Sequence, residues 1–333
     1  MLPPRLCKGD TIAIFSPSSP ATATAKARYQ RAKRFLSEQG YRIREGKLTG
    51  ASDYYLSGNI SVRAEELNEL ICAPEVRCVM AAIGGMNSNA LLPYLDYDAL
   101  KKDPKILVGY SDVTALLLGV YAKTGLTTYY GPAAVASFGE FPPLVEKTLA
   151  YFEGVVGGVW NPPCTLPTPG VWTEEFLDWN TQARAKRAVE NQLVTVRGGR
   201  TRGKLIGGNL NTLQGIFGTP YMPEIRRGDL LFFEDSLKDA ATVERSFSLL
   251  KLAGVFERIG GLILGKHEQF DDCGTGRRPY EILCEVMGEV GCPVLAEFDC
   301  CHTHPMLTLP IGCEAELDAD AQTLTLTAPF VHK

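Results

Sequence analysis

The sequence predicts an α/β protein, with a parallel sheet layer in the N-terminal half and a smaller, β-rich α+β domain in the C-terminal half. In the N-terminal half, short apolar runs alternate with amphipathic segments, a pattern typical of parallel sheets with helices on both faces. After Gln192 the pattern changes to short β-rich pieces separated by turns. A length of 333 residues also favours two domains over one hydrophobic core.

Local periodicity predicts the N-terminal elements. Apolar runs without helical spacing indicate four strands, over residues 11–15, 41–44, 76–83 and 106–108. Helical spacing of apolar residues indicates helices over residues 23–39, around residues 64–71 and from about residue 112 onward. Ligand sites in such sheets lie beyond the carboxyl ends of the strands, so loops 16–20, 84–88 and 109–112 are expected to lie close together.

The C-terminal half reads mostly as sheet. Candidate strands cover residues 193–197, 202–206, 229–233, 262–265, 307–317 and 323–326, and helices are expected over 240–253 and 279–290. Between the halves lies a segment rich in glycine, proline and tryptophan. We therefore predict an N-terminal domain (residues 1–160), a linker with a tryptophan loop (161–190) and a C-terminal domain (191–333).

Composition excludes several classes of protein. A net charge of −4 does not indicate the excess of basic residues that is typical of nucleic-acid-binding proteins. No apolar run approaches the length of a membrane span. The N-terminus lacks the apolar core of a signal peptide, which favours a cytoplasmic protein. None of the ten cysteines forms a Cys-x-x-Cys pair, and neither a dinucleotide-binding glycine motif nor a phosphate-loop lysine is present. We expect no metal and no cofactor.

Ser111 lies at the apex of a predicted strand-to-helix turn, Gly109-Tyr110-Ser111-Asp112. Such a turn holds the serine oxygen clear of the sheet and leaves the first N–H groups of the helix free to face a developing negative charge. The residues after Ser111 differ from the familiar Gly-x-Ser-x-Gly elbow. Read alone, Ser111 fits a helix N-cap equally well. The nearby Gly84-Gly85 pair allows close approach of backbone to a ligand, or a simple tight turn.

Two further segments carry residues suited to acid–base chemistry. An apolar strand ends in Glu234 and Asp235, and His302 and His304 stand between apolar stretches. Histidine is the usual base for a serine nucleophile, and a carboxylate on its far nitrogen fixes the tautomer. Composition cannot show that these groups meet, and surface carboxylates after a strand are common.

The linker also holds candidate ligand contacts. Trp172 and Trp179 could stack on a flat ligand, although packing the loop onto the protein is the commoner use of tryptophan. A short basic run follows, at Arg184, Lys186 and Arg187. It reads either as a solvated face or as a contact for phosphate.

Three motifs together resemble the LD-carboxypeptidase family of serine peptidases. They are Gly109-Tyr110-Ser111-Asp112, Phe233-Glu234-Asp235 at a strand end, and Cys301-His302 followed eight residues later by Pro310. The resemblance implies a Rossmann-like or flavodoxin-like N-terminal layer and a homodimer. It also implies a triad with Ser111 as nucleophile, His302 as general base and Glu234 as the orienting carboxylate. The oxyanion would then face the backbone N–H groups of Gly85 and Asp112.

Longer motifs resemble the microcin-type branch of that family. They include the tryptophan-bearing segment, Glu234-Asp235-Ser236-Leu237-Lys238, and Cys300-Cys301-His302, where the muropeptide-cleaving branch usually has glycine in place of Cys301. This resemblance implies hydrolysis of the amide between an aminoacyl group and a nucleotide-like moiety. Either Trp172 or Trp179 would stack on the base. Lys238, Asn209 and Asn211 are candidates for substrate contacts, or for surface roles.

Two alternatives use the same cleft. A cytoplasmic LD-carboxypeptidase that removes D-alanine from muropeptides would need the same triad but no tryptophan loop. A catalytically silent protein that binds a small molecule would need no triad, and the presence of all three residue types argues against it.

Overall fold

The computed structural model describes residues 1–289, 291–300 and 302–332, and its first sheet organises the N-terminal half. Six strands form this sheet in the order β14-β5-β4-β3-β1-β2, and they are β1 (Thr11–Phe15), β2 (Arg42–Glu45), β3 (Val76–Ala81), β4 (Ile106–Gly109), β5 (Thr128–Tyr130) and β14 (Leu309–Ile311). The first five are parallel, and β14 runs antiparallel to β5. The predicted parallel layer is confirmed.

The second sheet has eight strands and forms the β-rich C-terminal region. In spatial order they are β6 (Cys164–Thr165), β16 (Thr323–Leu326), β15 (Glu314–Asp318), β10 (Arg200–Asn209), β11 (Leu230–Ser236), β12 (Gly261–Glu268), β13 (Val294–Phe298) and β9 (Val194–Arg197). The four strands β10 to β13 pair in parallel, and the outer pairs are antiparallel. A separate hairpin pairs β7 (Val171–Trp172) with β8 (Val189–Glu190).

Helices pack on both sheets. They are α1 (Ala21–Thr24), α2 (Lys26–Glu38), α3 (Ile60–Cys72), α4 (Tyr97–Lys102), α5 (Thr114–Thr124), α6 (Leu144–Val156), α7 (Leu210–Gln214), α8 (Ala240–Leu252) and α9 (Pro279–Met287). Shorter 3₁₀ turns occupy Ser88–Tyr94 and Ser111–Val113, and a π turn occupies Ala134–Phe138. Within the described ranges, no helix has the length and apolar character required to cross a bilayer.

Several predicted elements are wrong in their details. The helix expected over residues 23–39 is two helices, because the backbone at Ala25 leaves the helical region (φ −125°, ψ 51°). The strand expected over 307–317 is two strands in different sheets, β14 and β15. They separate at Gly312, whose φ is +86° and where an added Cβ would lie 2.2 Å from the Tyr121 ring, so a side chain is excluded. Strand β13 and helix α6 were not predicted.

Strand β11 does not end at Phe233 as predicted but continues through Glu234 and Asp235 to Ser236. Parallel pairing explains the extension, because Asn209 lies opposite Glu234 and Glu268 lies opposite Ser236. The carboxyl ends of β10, β11 and β12 therefore bring their polar residues to one edge. Since β14 joins the first sheet, the segment after residue 191 contributes strands to both sheets. The predicted domain boundaries at residues 160 and 190 stay a prediction.

Candidate active site

Ser111 lies directly after β4, at the start of the 3₁₀ turn that leads into α5. Its φ of +60° is in the left-handed region, which a non-glycine residue adopts only when its surroundings enforce it. Gly84 makes room for this turn, since a Cβ there would lie 3.1 Å from the Cβ of Ser111. Tyr110 precedes the turn as its cap, and Ser111 caps neither the 3₁₀ turn nor α5. The N-cap alternative is wrong.

His302, which is partly buried, pairs with the buried Glu234 at the same edge. His302 Nδ1 lies 2.6 Å from Glu234 Oε2, and the glutamate side chain is fully buried. Burial lowers the pKa of His302, but the charge and hydrogen bond of Glu234 outweigh burial and raise it above its usual value. Burial raises the pKa of Glu234, and His302, Tyr130 and Asn209 together reverse that effect and lower it. The pair therefore favours an ionised carboxylate that supports a protonatable imidazole.

Tyr130 joins this pair to the serine turn, a role that the sequence did not reveal. Its hydroxyl donates to Glu234 Oε1 at 2.5 Å and accepts the backbone N–H of Ser111 at 3.2 Å. Tyr130 is completely buried on β5. A tyrosine in an apolar strand is expected to be buried, and a buried tyrosine hydroxyl needs a hydrogen-bond partner. This requirement is the one feature of the sequence that could have indicated a role for Tyr130. Tyr130 thus positions the Glu234 carboxylate and the Ser111 turn relative to each other.

Replacement of Tyr130 by phenylalanine is expected to reduce kcat by about 10- to 100-fold, because a hydrogen bond to a charged group contributes about 1.5–3 kcal/mol. The aromatic ring stays in the core but a buried hydrogen bond is lost, so we expect the fold to persist with a modest fall in melting temperature. Steady-state kinetics and thermal unfolding of the same preparation measure both effects. An unchanged kcat would show that Tyr130 does not position the pair.

Asn209 hydrogen-bonds the carboxylate of Glu234 and also lines the cavity described below, so its role as a substrate contact stays a prediction. Its Nδ2 donates to Glu234 Oε1 at 2.9 Å, and its Oδ1 accepts the N–H of Thr212 at 3.0 Å, which caps α7. Its backbone N–H donates to Thr114 Oγ1 at 2.9 Å. With both ends of the amide engaged inside the protein, Asn209 holds Glu234 in place.

Asn211 and Lys238 remain available for a ligand. Asn211 uses its backbone N–H to donate to Asp235 Oδ2 at 3.1 Å, which leaves its side chain facing the cavity. Lys238 Nζ donates to the carbonyl of Ser236 at 3.1 Å and lies 3.8 Å from Asp235 Oδ1. Both residues line the cavity described below, and their roles as substrate contacts stay a prediction.

The three loops expected at the sheet edge do meet. The Asp112 carboxylate accepts the N–H groups of Asn87 and Ser88 at 3.2 and 3.0 Å. Ser18 Oγ accepts the N–H of Met86 at 3.2 Å, and a Cβ on Gly85 (φ +146°) would lie 2.4 Å from the same oxygen. These bonds fix the loop without using the backbone N–H groups of Gly85 or Asp112, neither of which donates to a described residue.

A cavity of about 380 Å³ opens at this edge, and Ser111 and His302 both line it. Trp179 also lines it, with the guanidinium carbon of Arg28 5.0 Å from the indole centroid. Trp172 does not line it, because its indole covers Lys266, whose Nζ lies 5.1 Å from the ring centroid. Of the two predicted stacking residues, the structure therefore brings only Trp179 to the site.

His304, the second candidate histidine, lies in surroundings that differ from those of His302. His304 is buried and its Nδ1 has no hydrogen-bond partner among the described residues, and burial lowers its pKa well below the usual value. Its backbone instead pairs with Thr173, through hydrogen bonds of 2.9 and 3.0 Å. Cys301, which distinguishes the two predicted branches, lies outside the described residues.

Both halves of the chain match models of known protein families. The chain matches the LD-carboxypeptidase N-terminal domain over residues 12–131 and the LD-carboxypeptidase C-terminal domain over residues 202–317. A Vibrio cholerae protein that carries a carboxypeptidase name is 55% identical over 323 residues, which cover 97% of this chain and 96% of that protein. The Microcin C7 self-immunity protein MccF of Escherichia coli is 51% identical over 328 residues, which cover 98% of this chain and 95% of MccF.

Solved structures of MccF superpose closely on this chain. The complex with aspartyl sulfamoyl adenosine has a TM-score of 0.96 at 50% identity and covers all of both chains. The complex with glutamyl sulfamoyl guanosine has a TM-score of 0.97 at 50% identity and covers 99% of each. A further MccF structure is an active-site mutant in which a serine, an asparagine and a lysine are replaced by alanine. The chain belongs to the LD-carboxypeptidase family and is a serine-type carboxypeptidase or amidase.

Proposed function

We propose that this protein hydrolyses the amide bond between an aminoacyl group and a nucleotide-like moiety, with Ser111, His302 and Glu234 as its triad. The observation that carries the proposal is a single cavity lined by Ser111, by His302 in its 2.6 Å contact with Glu234, and by the indole of Trp179. The ligands of the MccF complexes, an aspartyl and a glutamyl sulfamoyl nucleoside, have this composition. Turnover of such compounds would detoxify them.

The mechanism follows from the contacts of each group. His302 Nε2 removes the proton of Ser111 as its oxygen attacks the carbonyl carbon, while Glu234 stabilises the imidazolium through Nδ1. The oxyanion receives the backbone N–H groups of Gly85 and Asp112. His302 then protonates the leaving nitrogen, and water hydrolyses the acyl-enzyme by the reverse sequence of proton transfers.

The nucleoside end is assigned to Trp179. Arg28, whose side chain is fully buried, pairs with Glu140 at 3.0 Å, so its guanidinium supports one face of the indole from a fixed position. A base stacked on the cavity side of Trp179 would gain about 1–3 kcal/mol. A rigid indole loses little entropy when the base binds, which favours stacking here over stacking on a free loop residue.

The aminoacyl end is assigned to Asn211 and Lys238. Both line the cavity beside the end of β11, and the lysine places a cation there for a substrate carboxylate. Together with Ser111 they have the residue types replaced in the MccF active-site mutant. We also propose a cytoplasmic location and a homodimer, on the resemblance to the family, and light scattering of the purified protein tests the dimer.

A paired hydrolysis assay tests the proposed function. Purified protein is expected to cleave glutamyl or aspartyl sulfamoyl adenosine and to leave a muropeptide that ends in D-alanine intact, with products followed by chromatography. Cleavage of the muropeptide alone would assign the protein to the wall-recycling branch and leave Trp179 without a partner. No cleavage of either compound would favour a ligand-binding protein instead.

A further inference from the structure

The basic run Arg184-Ala185-Lys186-Arg187 holds three cations with different surroundings. Arg184 forms two hydrogen bonds to Glu175, at 2.8 and 2.9 Å. Arg187 is exposed and lies outside the cavity lining. Lys186 alone is partly buried and lines the cavity that holds Ser111. The run is therefore neither a uniform solvated face nor a uniform phosphate contact.

Among the residues that the structure describes, the ammonium group of Lys186 has no ion-pair or hydrogen-bond partner. Across residues 1–289, 291–300 and 302–332, no carboxylate lies within 4.0 Å of its Nζ, and no acceptor receives a hydrogen bond from it. Glu140 and Glu268 attract it only from greater distances, and burial lowers its pKa. Since an unpaired, partly buried cation is unfavourable, the site is suited to an anion that a ligand would supply.

The segment that carries Lys186 is held in place on both sides. Gln182 hydrogen-bonds Glu140 at 2.5 Å and also accepts a hydrogen bond from Arg28. Farther along, Asn191 donates to Asp299 at 2.8 Å. Trp179 and Lys186 thus belong to one anchored segment, and both face the same cavity. A nucleoside stacked on Trp179 would have its anionic linkage on the side of the cavity that this segment forms.

We propose that Lys186 forms a subsite for the anionic group, a phosphate, phosphoramidate or sulfamate, that joins the nucleoside to the aminoacyl group. This inference rests on the proposed function, since it assigns a second charge to the same cavity. Lys238 and Lys186 then bind different parts of the same substrate. Lys238 serves the aminoacyl end, and Lys186 distinguishes an anionic linkage from a neutral one.

Binding of AMP and adenosine to the unmodified enzyme and to Lys186→Met tests this subsite without any turnover. Calorimetry should give a higher affinity for AMP than for adenosine in the original protein. In Lys186→Met we expect the ratio of the two affinities to fall about tenfold, because a charge-assisted contact to the phosphate is lost while the base still stacks. Arg187→Met is the matched control and should retain the ratio. Lys186→Arg should restore most of it.

Three outcomes would overturn the subsite. They are an unchanged ratio in Lys186→Met, an equal loss of both ligands, or an equal fall of the ratio in Arg187→Met, which would indicate a general surface charge effect. Turnover separates this inference from the proposed function. If the original protein cleaves glutamyl sulfamoyl adenosine and Lys186→Met keeps the original ratio of AMP to adenosine affinity, the proposed function is supported and the subsite is rejected. If the ratio falls in Lys186→Met but the original protein cleaves neither test compound, the subsite is supported and the proposed function is rejected.

Discussion

Replacement of Ser111 by alanine is expected to reduce kcat by up to about 10⁶-fold, the size of effect that removal of a nucleophilic serine has in other hydrolases. The reason is that Ser111 is the one serine or threonine in the turn between β4 and α5, where the N–H of Asp112 donates to no described residue and can face the oxyanion. Alanine keeps the Cβ that contacts Gly84, so the turn itself should persist.

The measurements for Ser111→Ala are single-turnover hydrolysis of glutamyl sulfamoyl adenosine, AMP binding by calorimetry and thermal unfolding. We expect the AMP affinity and the melting temperature to stay near those of the original protein, since the serine oxygen contributes to neither. Ser61→Ala, on the surface of α3, is the control for a serine outside the site. Substantial activity in Ser111→Ala would reject the triad, whatever the behaviour of the other variants.

The parts of this site that the sequence predicts are those set by local pattern. The apolar run before Gly109 and the helical spacing after Asp112 place Ser111 at a strand-to-helix turn, and each depends only on neighbouring residues. The parallel arrangement then requires the loops after β1, β3 and β4 to meet, as they do. The spacing of apolar and polar residues along the chain is therefore enough to predict where these strands, helices and loops lie.

Partnerships between distant residues are not contained in such a pattern. Tyr130 contacts residues 19 and 104 positions away, and it reads from the sequence only as part of an apolar strand. The contact of Asn209 with Glu234 becomes apparent only when parallel pairing sets the two residues opposite each other. Trp172 and Trp179 are equivalent by composition. Their different positions depend on Lys266 under one ring and Arg28 under the other.

The split of the predicted strand at residues 307–317 has a similar cause. Its alternation is compatible with one long strand, but the chain must pass from the first sheet to the second within it. Only the packing of Tyr121 against Gly312, together with the positive φ of that glycine, reveals where the transfer occurs. Neither feature is visible in a window of neighbouring residues.

Replacement of Glu234 by glutamine is expected to reduce kcat by about 10⁴-fold, although the side chain keeps its shape. The amide oxygen can still accept from Tyr130 and Asn209, so the buried position remains hydrogen-bonded. The amide nitrogen, however, donates to Nδ1 of His302. This places the imidazole proton on Nε2, the nitrogen that must accept the proton of Ser111.

The pH profile of the same variant separates charge from geometry. In the original protein Glu234 raises the pKa of His302 against the opposing effect of burial, and kcat/KM falls as the pH drops through that pKa because the base becomes protonated. In Glu234→Gln the attraction is lost while burial remains, so the pKa falls and the acid limb moves to lower pH. The plateau drops, yet activity extends to more acid conditions than in the original enzyme.

Glu268→Gln is the matched comparison, because Glu268 also raises the pKa of His302 but makes no hydrogen bond to it within the described part of the chain. We expect its acid limb to move in the same direction by a smaller amount and its plateau to fall far less. NMR of the His302 ring nitrogens should report Nδ1–H in the original protein and in Glu268→Gln, and Nε2–H in Glu234→Gln. If Glu234→Gln instead keeps its plateau within about tenfold, or moves its acid limb upward, Glu234 does not orient the catalytic histidine and another carboxylate must do so.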